Sequence, residues 1–101
     1  MNKKDFDVVR SQGNFRTFPY FTINFLNRLD EEEARIGVIV SKKISTKAVT
    51  RNKIRRQIKE AVRINKLMEK SYDYVIIVKP SITRLNYGRI EAELKNAFRF
   101  L

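Results

Sequence analysis

Residues 41–66, SKKISTKAVTRNKIRRQIKEAVRINK, form the segment that most limits what this chain can fold into. The segment holds ten basic residues and one acidic residue, in a chain whose formal net charge is +11. Ile54, Ile58, Ala61 and Val62 recur within it at the spacing of an amphipathic helix. We therefore predict a helix that packs one apolar stripe inward and carries most of the chain's excess positive charge outward.

The polar side chains beside that stripe share one arc of the predicted helix, at 100° per residue. They are Asn52, Arg55, Arg56, Lys59 and Arg63. Gln57 and Glu60 are expected on the far flank. Arg51 and Lys53 lie near the expected helix start, where the helix dipole favours anions, so this end suits a phosphate group. A solvated basic surface is the alternative, but the lack of compensating acids favours nucleic acid.

Composition excludes several classes of protein. Cysteine and histidine are both absent, which rules out disulfides, cysteine-ligated metals and catalysis by Ser/His or Cys/His pairs. No secretory signal or membrane-spanning apolar run is visible, so we expect a cytoplasmic protein without a membrane partner. A sequence pI near 10.3 favours a polyanionic partner.

Periodicity predicts five further elements. In chain order they are a helix over residues 2–11, strands over 20–26, 35–41 and 71–79, and a closing helix over 87–100. Asn2 and Asn86 are suitable N-cap residues, and a loop is expected over 81–86. A further strand around residues 15–19 is left open. This order predicts an α+β fold, a single-domain two-layer sandwich over residues 1–101 with helices on a mostly antiparallel sheet.

Two features between the strands carry alternative interpretations. The acidic run at residues 30–33 is interpreted as a solvated hairpin tip, because four adjacent acids have no positioned partner elsewhere in the sequence. A metal-binding carboxylate cluster is the alternative. Gly37, inside an apolar strand, predicts the close approach of another backbone.

Strand alternation divides the side chains of residues 20–26 between two faces. Phe21, Ile23 and Phe25 are expected in the core. Tyr20, Thr22 and Asn24 share the other face and are too polar for a deep core. A sheet face of this kind beside a cationic helix is typical of a platform for single-stranded nucleic acid, on which bases stack and phosphates pair.

Five motifs together resemble the bacterial ribonuclease P protein subunit. In chain order, they are residues 4–6 (KDF), 35–37 (RIG), 40–43 (VSKK), 51–63 (RNKIRRQIKEAVR) and 72–80 (YDYVIIVKP). The resemblance spans nearly the whole chain, and both order and spacing agree with the family.

The resemblance implies an α-β-β-β-α-β-α fold like that of ribosomal protein S5 domain 2, with an uncommon left-handed crossover. It implies two partners, the ribonuclease P catalytic RNA and precursor tRNA, and no obligate protein partner. The Mg²⁺ ions would be held mainly by the partner RNA, which cleaves the precursor to leave the mature 5′ end of tRNA. The protein would grip the single-stranded 5′ leader between its sheet face and its basic helix.

The resemblance also implies site residues, none of them catalytic, and no metal ligand is assigned. The residues that would contact the catalytic RNA are Lys42, Lys43, Arg51, Asn52, Lys53, Arg55, Arg56, Lys59 and Arg63. The residues that would line the leader cleft are Phe6, Arg10, Tyr20, Thr22 and Asn24.

Three positions depart from the family pattern. Lys53 replaces an arginine, which keeps the charge and loses the planar fork. Arg10 and Asn24 stand where many members carry aromatics, so leader binding is expected to depend less on stacking.

Two rival functions remain open on the sequence alone. A ribosomal or ribosome-assembly RNA-binding protein would share these electrostatics. A self-sufficient metallonuclease would use Glu31, Glu32 and Glu33, or Asp5 and Asp7.

Overall fold

The computed structural model describes residues 1–101 and contains three helices and one four-stranded sheet. In chain order the elements are α1 (Lys3–Gln12), β1 (Asn14–Thr17), β2 (Phe21–Asn27), β3 (Arg35–Ile39), α2 (Ala48–Ile64), β4 (Tyr72–Val78), a 3₁₀ helix (Pro80–Arg84) and α3 (Tyr87–Phe98). The predicted α-β-β-β-α-β-α order and α+β class are confirmed. The segment expected as a loop after β4 is instead mostly 3₁₀ helix.

The sheet has the strand order β1-β2-β4-β3. The β1–β2 and β2–β4 pairs are antiparallel, whereas β3 and β4 run parallel and are joined through α2. Because β4 lies between β2 and β3, the acidic run at residues 30–33 is not a hairpin tip, and that prediction is wrong. The run instead connects two non-adjacent strands across the end of β4, where Ser71 N–H donates to the Glu32 carbonyl at 2.9 Å.

One face of the sheet carries the main hydrophobic core under α2 and α3. The apolar stripe predicted on α2 is buried as expected: Ile54, Ile58, Ala61 and Val62 all belong to the core. Phe21 and Ile23 from β2 meet them together with Tyr74, Ile76 and Val78 from β4, and Phe25 packs at the margin. Burial of this stripe leaves the rest of the α2 surface available to solvent.

Helix α1 lies against the opposite face of the sheet. Val9 and Val75 are fully buried there, outside the main core. The Phe6 ring packs directly on Gly37 of β3, so closely that a Cβ on Gly37 would overlap the ring. Gly37 thus accommodates an aromatic side chain, and the prediction that it admits another backbone is wrong.

Side-chain caps set two of the helix starts. Asn2 Oδ1 accepts from Asp5 N–H at 2.9 Å, while Asn2 N–H donates to the Asp5 carboxylate at 3.2 Å, which makes a capping box. Asn86 Oδ1 accepts from Arg89 N–H at 2.9 Å. Both predicted N-caps are confirmed. Helix α2 differs, because it begins several residues before Arg51 and its N-cap residue, Lys47, makes no side-chain cap.

A cluster of ion pairs holds the loop between β2 and β3 onto the sheet. Asp73, only 3% exposed, accepts from Arg35 Nη2 at 2.7 Å and from Arg28 Nη1. Burial alone would raise the pKa of Asp73, but the hydrogen bonds from Arg35 and Arg28 outweigh it and lower that pKa. Arg28 also bonds Asp30, and Arg35 lies 3.6 Å from Asp5 of α1. The cluster therefore ties α1, the acidic loop and the sheet together.

Candidate RNA-binding surfaces

The predicted cationic arc of α2 forms one continuous surface, here called the cationic face and defined as Asn52, Arg55, Arg56, Lys59 and Arg63. All five residues line a single open groove of about 680 Å³. Ile36 of β3 and Met68 contribute its apolar part. Glu60, expected on the far flank, lines the same groove, so that expectation is wrong. The groove runs along the exposed side of α2, beside the edge of the sheet.

The cations of residues 41–66 are not neutralised within the chain. The chain's ion pairs all lie elsewhere, so none of the ten Lys and Arg side chains of this segment has a carboxylate oxygen within 4.0 Å. An ordinary solvated helix alternates charges that offset each other. This uncompensated positive surface is suited to binding a polyanion through its phosphates.

Two hydrogen bonds orient the start of this surface. Asn52 Oδ1 accepts from Arg55 Nη1 one helical turn later. Arg51 Nη1 donates to the Ser45 carbonyl at 2.9 Å, which ties the turn before α2 to the helix. The first turn of α2 contains no acid, so the positive end of the helix dipole adds to the side-chain charge.

The other predicted RNA contacts lie around the cationic face without belonging to it. Lys53 lies on the opposite flank of α2, in a groove beside the 3₁₀ helix and the start of α3. Lys42 and Lys43 are exposed in the turn that follows β3. These three residues were assigned to the catalytic RNA through the family resemblance, and none of them belonged to the predicted arc.

The face of the sheet that carries α1 offers a second surface. Phe6 and Arg10 are four residues apart and share one flank of α1. Asp5, on the other flank, pairs with Arg35 at 3.6 Å. The flank with Phe6 and Arg10 therefore faces the neighbouring row of the sheet, formed by Thr22, Ile77 and Ile39. Helix α1 leaves this row half-exposed.

Strand β1 extends this second surface. The Thr17 and Thr22 hydroxyl oxygens lie 3.4 Å apart, which places both side chains on the face that carries α1. Directly opposed residues of an antiparallel pair share a face, so Phe15, opposite Asn24, lies there too. Here this surface is called the α1 face, defined by Phe6, Arg10, Phe15, Thr17 and Thr22.

Two predicted cleft residues take positions that the sequence did not anticipate. Asn24 is only 7% exposed, beneath α1, and its Nδ2 has no hydrogen-bond partner among the chain's own atoms. The expectation that Asn24 is too polar for a buried position is therefore wrong. Tyr20 precedes β2 and packs against the main core. The alternation of side chains along the strand therefore does not place Tyr20 on the same face as Thr22, contrary to the prediction. Of Tyr20, Thr22 and Asn24, only Thr22 is half-exposed on the face that carries α1.

The acidic residues do not gather into a further site. No three carboxylates converge anywhere in the chain. The hydrogen bond from Arg28 is the main cause that lowers the pKa of Asp30, which stays ionised beside its partner. No helix has both the length and the apolar character needed to cross a bilayer.

The chain is similar to known proteins over nearly its whole length. Residues 1–101 match the family described as Ribonuclease P. The sequence is 34% identical over 91 residues to the ribonuclease P protein component of Streptococcus agalactiae serotype III (strain NEM316), spanning 90% of this chain and 82% of that protein. It is 36% identical over 94 residues to that of Clostridioides difficile (strain 630), spanning 91% and 81%.

Solved structures show the same likeness. The Staphylococcus aureus RNase P protein superposes with a TM-score of 0.89 at 25% identity, over 99% of this chain and 91% of that one. The Thermotoga maritima RNase P protein superposes with a TM-score of 0.87 at 26% identity, over 98% of this chain and 93% of that one.

Proposed function

The chain belongs to the ribonuclease P protein family, and from this premise we propose that its two surfaces bind two different RNAs. The family's ribonucleoprotein is an endoribonuclease in which the protein component assembles with the ribonuclease P RNA. The ribosomal alternative is not favoured, because the relatives described above are all ribonuclease P proteins.

We assign the cationic face to the catalytic RNA. The single observation that carries this assignment is the absence of any carboxylate within 4.0 Å of the ten cations of residues 41–66. Cations without internal partners can bind phosphates without breaking any ion pair. Cations that are paired within the chain would first have to break those ion pairs, which costs binding free energy. Arg55 is already oriented by Asn52, so less side-chain freedom is lost on binding.

We assign the α1 face to the single-stranded 5′ leader of precursor tRNA. Phe6 and the Thr22 row offer a mixed aromatic and hydroxyl surface, and Arg10 offers a phosphate contact at its edge. Such surfaces bind single strands through stacked bases and paired phosphates. The two faces lie on different sides of the sheet, so one chain can hold both RNAs at once. The proposed leader path therefore runs beside α1, and it differs from the path between the sheet face and the basic helix that the resemblance implies.

We propose that the Mg²⁺ ions of the reaction are held mainly by the RNA. The chain's own residues do not fit a metal site, because the carboxylates that come together, Asp30 and Asp73, are already bonded to Arg28 and Arg35. The cytoplasm is the proposed place of action, which the absence of cysteine supports.

The test compares variants of the two faces in the assembled ribonucleoprotein. Arg55→Ala and Asn52→Ala are expected to weaken assembly with the catalytic RNA, whatever the leader length. A lost charge-assisted contact to phosphate costs about 1.5–3 kcal/mol. Phe6→Ala is expected to leave assembly nearly unchanged and to reduce the preference for precursor over mature tRNA.

Affinities would be measured for precursors with a long leader and with a single leader nucleotide, alongside the melting temperature of each protein. Because Phe6 also packs on Gly37, some loss of stability is expected from Phe6→Ala. Equal weakening of both substrates by Phe6→Ala would contradict the leader assignment. Unchanged assembly in both α2 variants would contradict the assignment of the cationic face.

A further inference from the structure

Phe15 is a large apolar side chain left open to solvent on a functional surface. It lies in β1 on the α1 face and is 67% exposed. Its row across the sheet continues through Asn24 and Val75 to Gly37. Helix α1 covers those three positions, because Asn24 and Val75 are buried and Gly37 lies under the Phe6 ring. Phe15 is therefore the uncovered position of this row.

The chain path explains this exposure. Helix α1 ends at Gln12, and the chain turns at Gly13 directly into β1. A Cβ on Gly13 would come within 2.6 Å of the Val9 carbonyl oxygen and would overlap the Phe25 carbonyl, so the turn is tight. Because the helix stops at this turn, it cannot extend over β1, and the Phe15 ring stands beside its end.

The neighbours of Phe15 match the chemistry of a nucleotide. Arg10 lies in the last turn of α1, one turn before Gly13, and its charge has no carboxylate partner within the chain. Thr17, two residues along β1, adds a hydroxyl on the same face, 3.4 Å from that of Thr22. An exposed ring on the same side of the sheet as a cation and hydroxyl groups can hold one base, its phosphate and its ribose.

We propose that Phe15 is a base-stacking residue for the single-stranded leader of precursor tRNA. Phe15 supplies an aromatic surface directly opposite Asn24, which is buried and has no aromatic ring. This inference rests on the proposed function of the α1 face and extends that face past the end of α1 onto strand β1. The occupant is one unpaired RNA base, with its phosphate toward Arg10.

The experiment measures binding of the ribonucleoprotein to precursor tRNA with a long leader and with a single leader nucleotide. Phe15→Ala is expected to weaken binding of the long-leader substrate by about 5- to 30-fold, equivalent to roughly 1–2 kcal/mol for one stacked base. Binding of the short-leader substrate stays unchanged. Phe15→Trp retains the long-leader affinity, whereas Phe15→Leu, which is apolar but cannot stack, does not.

Phe100 provides the matched control, because it is also an exposed phenylalanine, at 59%, and follows α3 away from the α1 face. Phe100→Ala is expected to leave both affinities unchanged. A series of leaders with single abasic positions then locates the base. One abasic position should weaken binding to the wild type and have no further effect with Phe15→Ala.

The outcomes separate this inference from the function on which it rests. If the wild type prefers long leaders but Phe15→Ala behaves like Phe100→Ala, the role of Phe15 is refuted and the leader assignment stands. If the wild type shows no preference for long leaders, the proposed assignment of the α1 face to the leader is itself refuted. Three other results for Phe15→Ala would each overturn the stacking role. They are equal weakening of binding to both substrates, a lowered melting temperature of the protein, and conversion of a dimer to a monomer in sedimentation.

Discussion

The contact between Phe6 and Gly37 can be tested by exchanging a single hydrogen for a methyl group. In Gly37→Ala, the new Cβ would lie 3.1 Å from Phe6 Cδ1 and closer still to two other ring carbons. Non-bonded carbons prefer about 3.5–4.0 Å, so the ring has to move by more than about 1 Å. Helix α1 carries that ring, and its docking on the sheet is expected to loosen.

Two opposing terms determine the magnitude. Overpacking of a well-packed contact costs about 1–3 kcal/mol. Glycine to alanine at a position with ordinary backbone angles stabilises by about 0.4–1 kcal/mol through the unfolded state, and Gly37 does not have a positive φ. The net expectation for Gly37→Ala is a loss of about 0–2.6 kcal/mol in the free energy of unfolding.

The sign should reverse when the ring is removed. In the Phe6→Ala background the new methyl group meets no ring, so Gly37→Ala should raise the free energy of unfolding by about 0.4–1 kcal/mol. Urea denaturation followed by circular dichroism at pH 7 measures all four proteins of this double-mutant cycle. Gly88→Ala is the control, because its Cβ would meet only Asn86 Oδ1, at 3.5 Å. An equal cost of Gly37→Ala in both backgrounds would refute the packing described here.

Three further predictions concern the ion-pair cluster, the cationic face and the acidic loop. Asp73→Asn should lower the free energy of unfolding at pH 7 by about 2–4 kcal/mol, somewhat less than for a fully buried pair because Arg35 is 44% exposed. The pKa of Asp73 is lowered in the folded state, so the ionised carboxylate stabilises the fold above pH about 4. This stabilisation is lost as the pH falls through the folded-state pKa, so the unfolding curves of the wild type and Asp73→Asn should differ less at pH about 3. The affinity for the catalytic RNA should fall with salt at a log–log slope of roughly −3.5 to −4.5 if about five cations meet phosphates, and a near-flat slope would mean a merely solvated face. Replacing Glu31, Glu32 and Glu33 together by Gln should keep precursor processing within a few-fold of normal, whereas loss of cleavage with RNA binding retained would favour a protein-based nuclease.

Local patterns in the sequence were sufficient for the helices. The stripe of Ile54, Ile58, Ala61 and Val62 predicts both the α2 helix and its buried side, because helical periodicity depends only on near neighbours. The caps at Asn2 and Asn86 are equally local. The cationic arc followed from the same geometry, since the side chains opposite a buried stripe must face outward.

Features that depend on distant residues were not predictable in this way. The acidic run was interpreted as a hairpin tip because the insertion of β4 between β2 and β3 leaves no trace in the intervening residues. Asp73 and its partner Arg28 are separated by 45 residues, so neither stands out alone. Asn24 is buried because α1 lies over it, and a single strand pattern does not reveal which helix covers which face. The roles of the site residues on both faces stay predictions.

The most direct test is cleavage of precursor tRNA by a bacterial ribonuclease P RNA at low Mg²⁺ concentration, with and without this protein. The account predicts that the protein restores cleavage where the RNA alone is inactive, that the protein alone cleaves nothing, and that a variant with Arg55→Ala and Lys59→Ala restores much less. Failure of the wild-type protein to restore cleavage, or cleavage by the protein without the RNA, would contradict it.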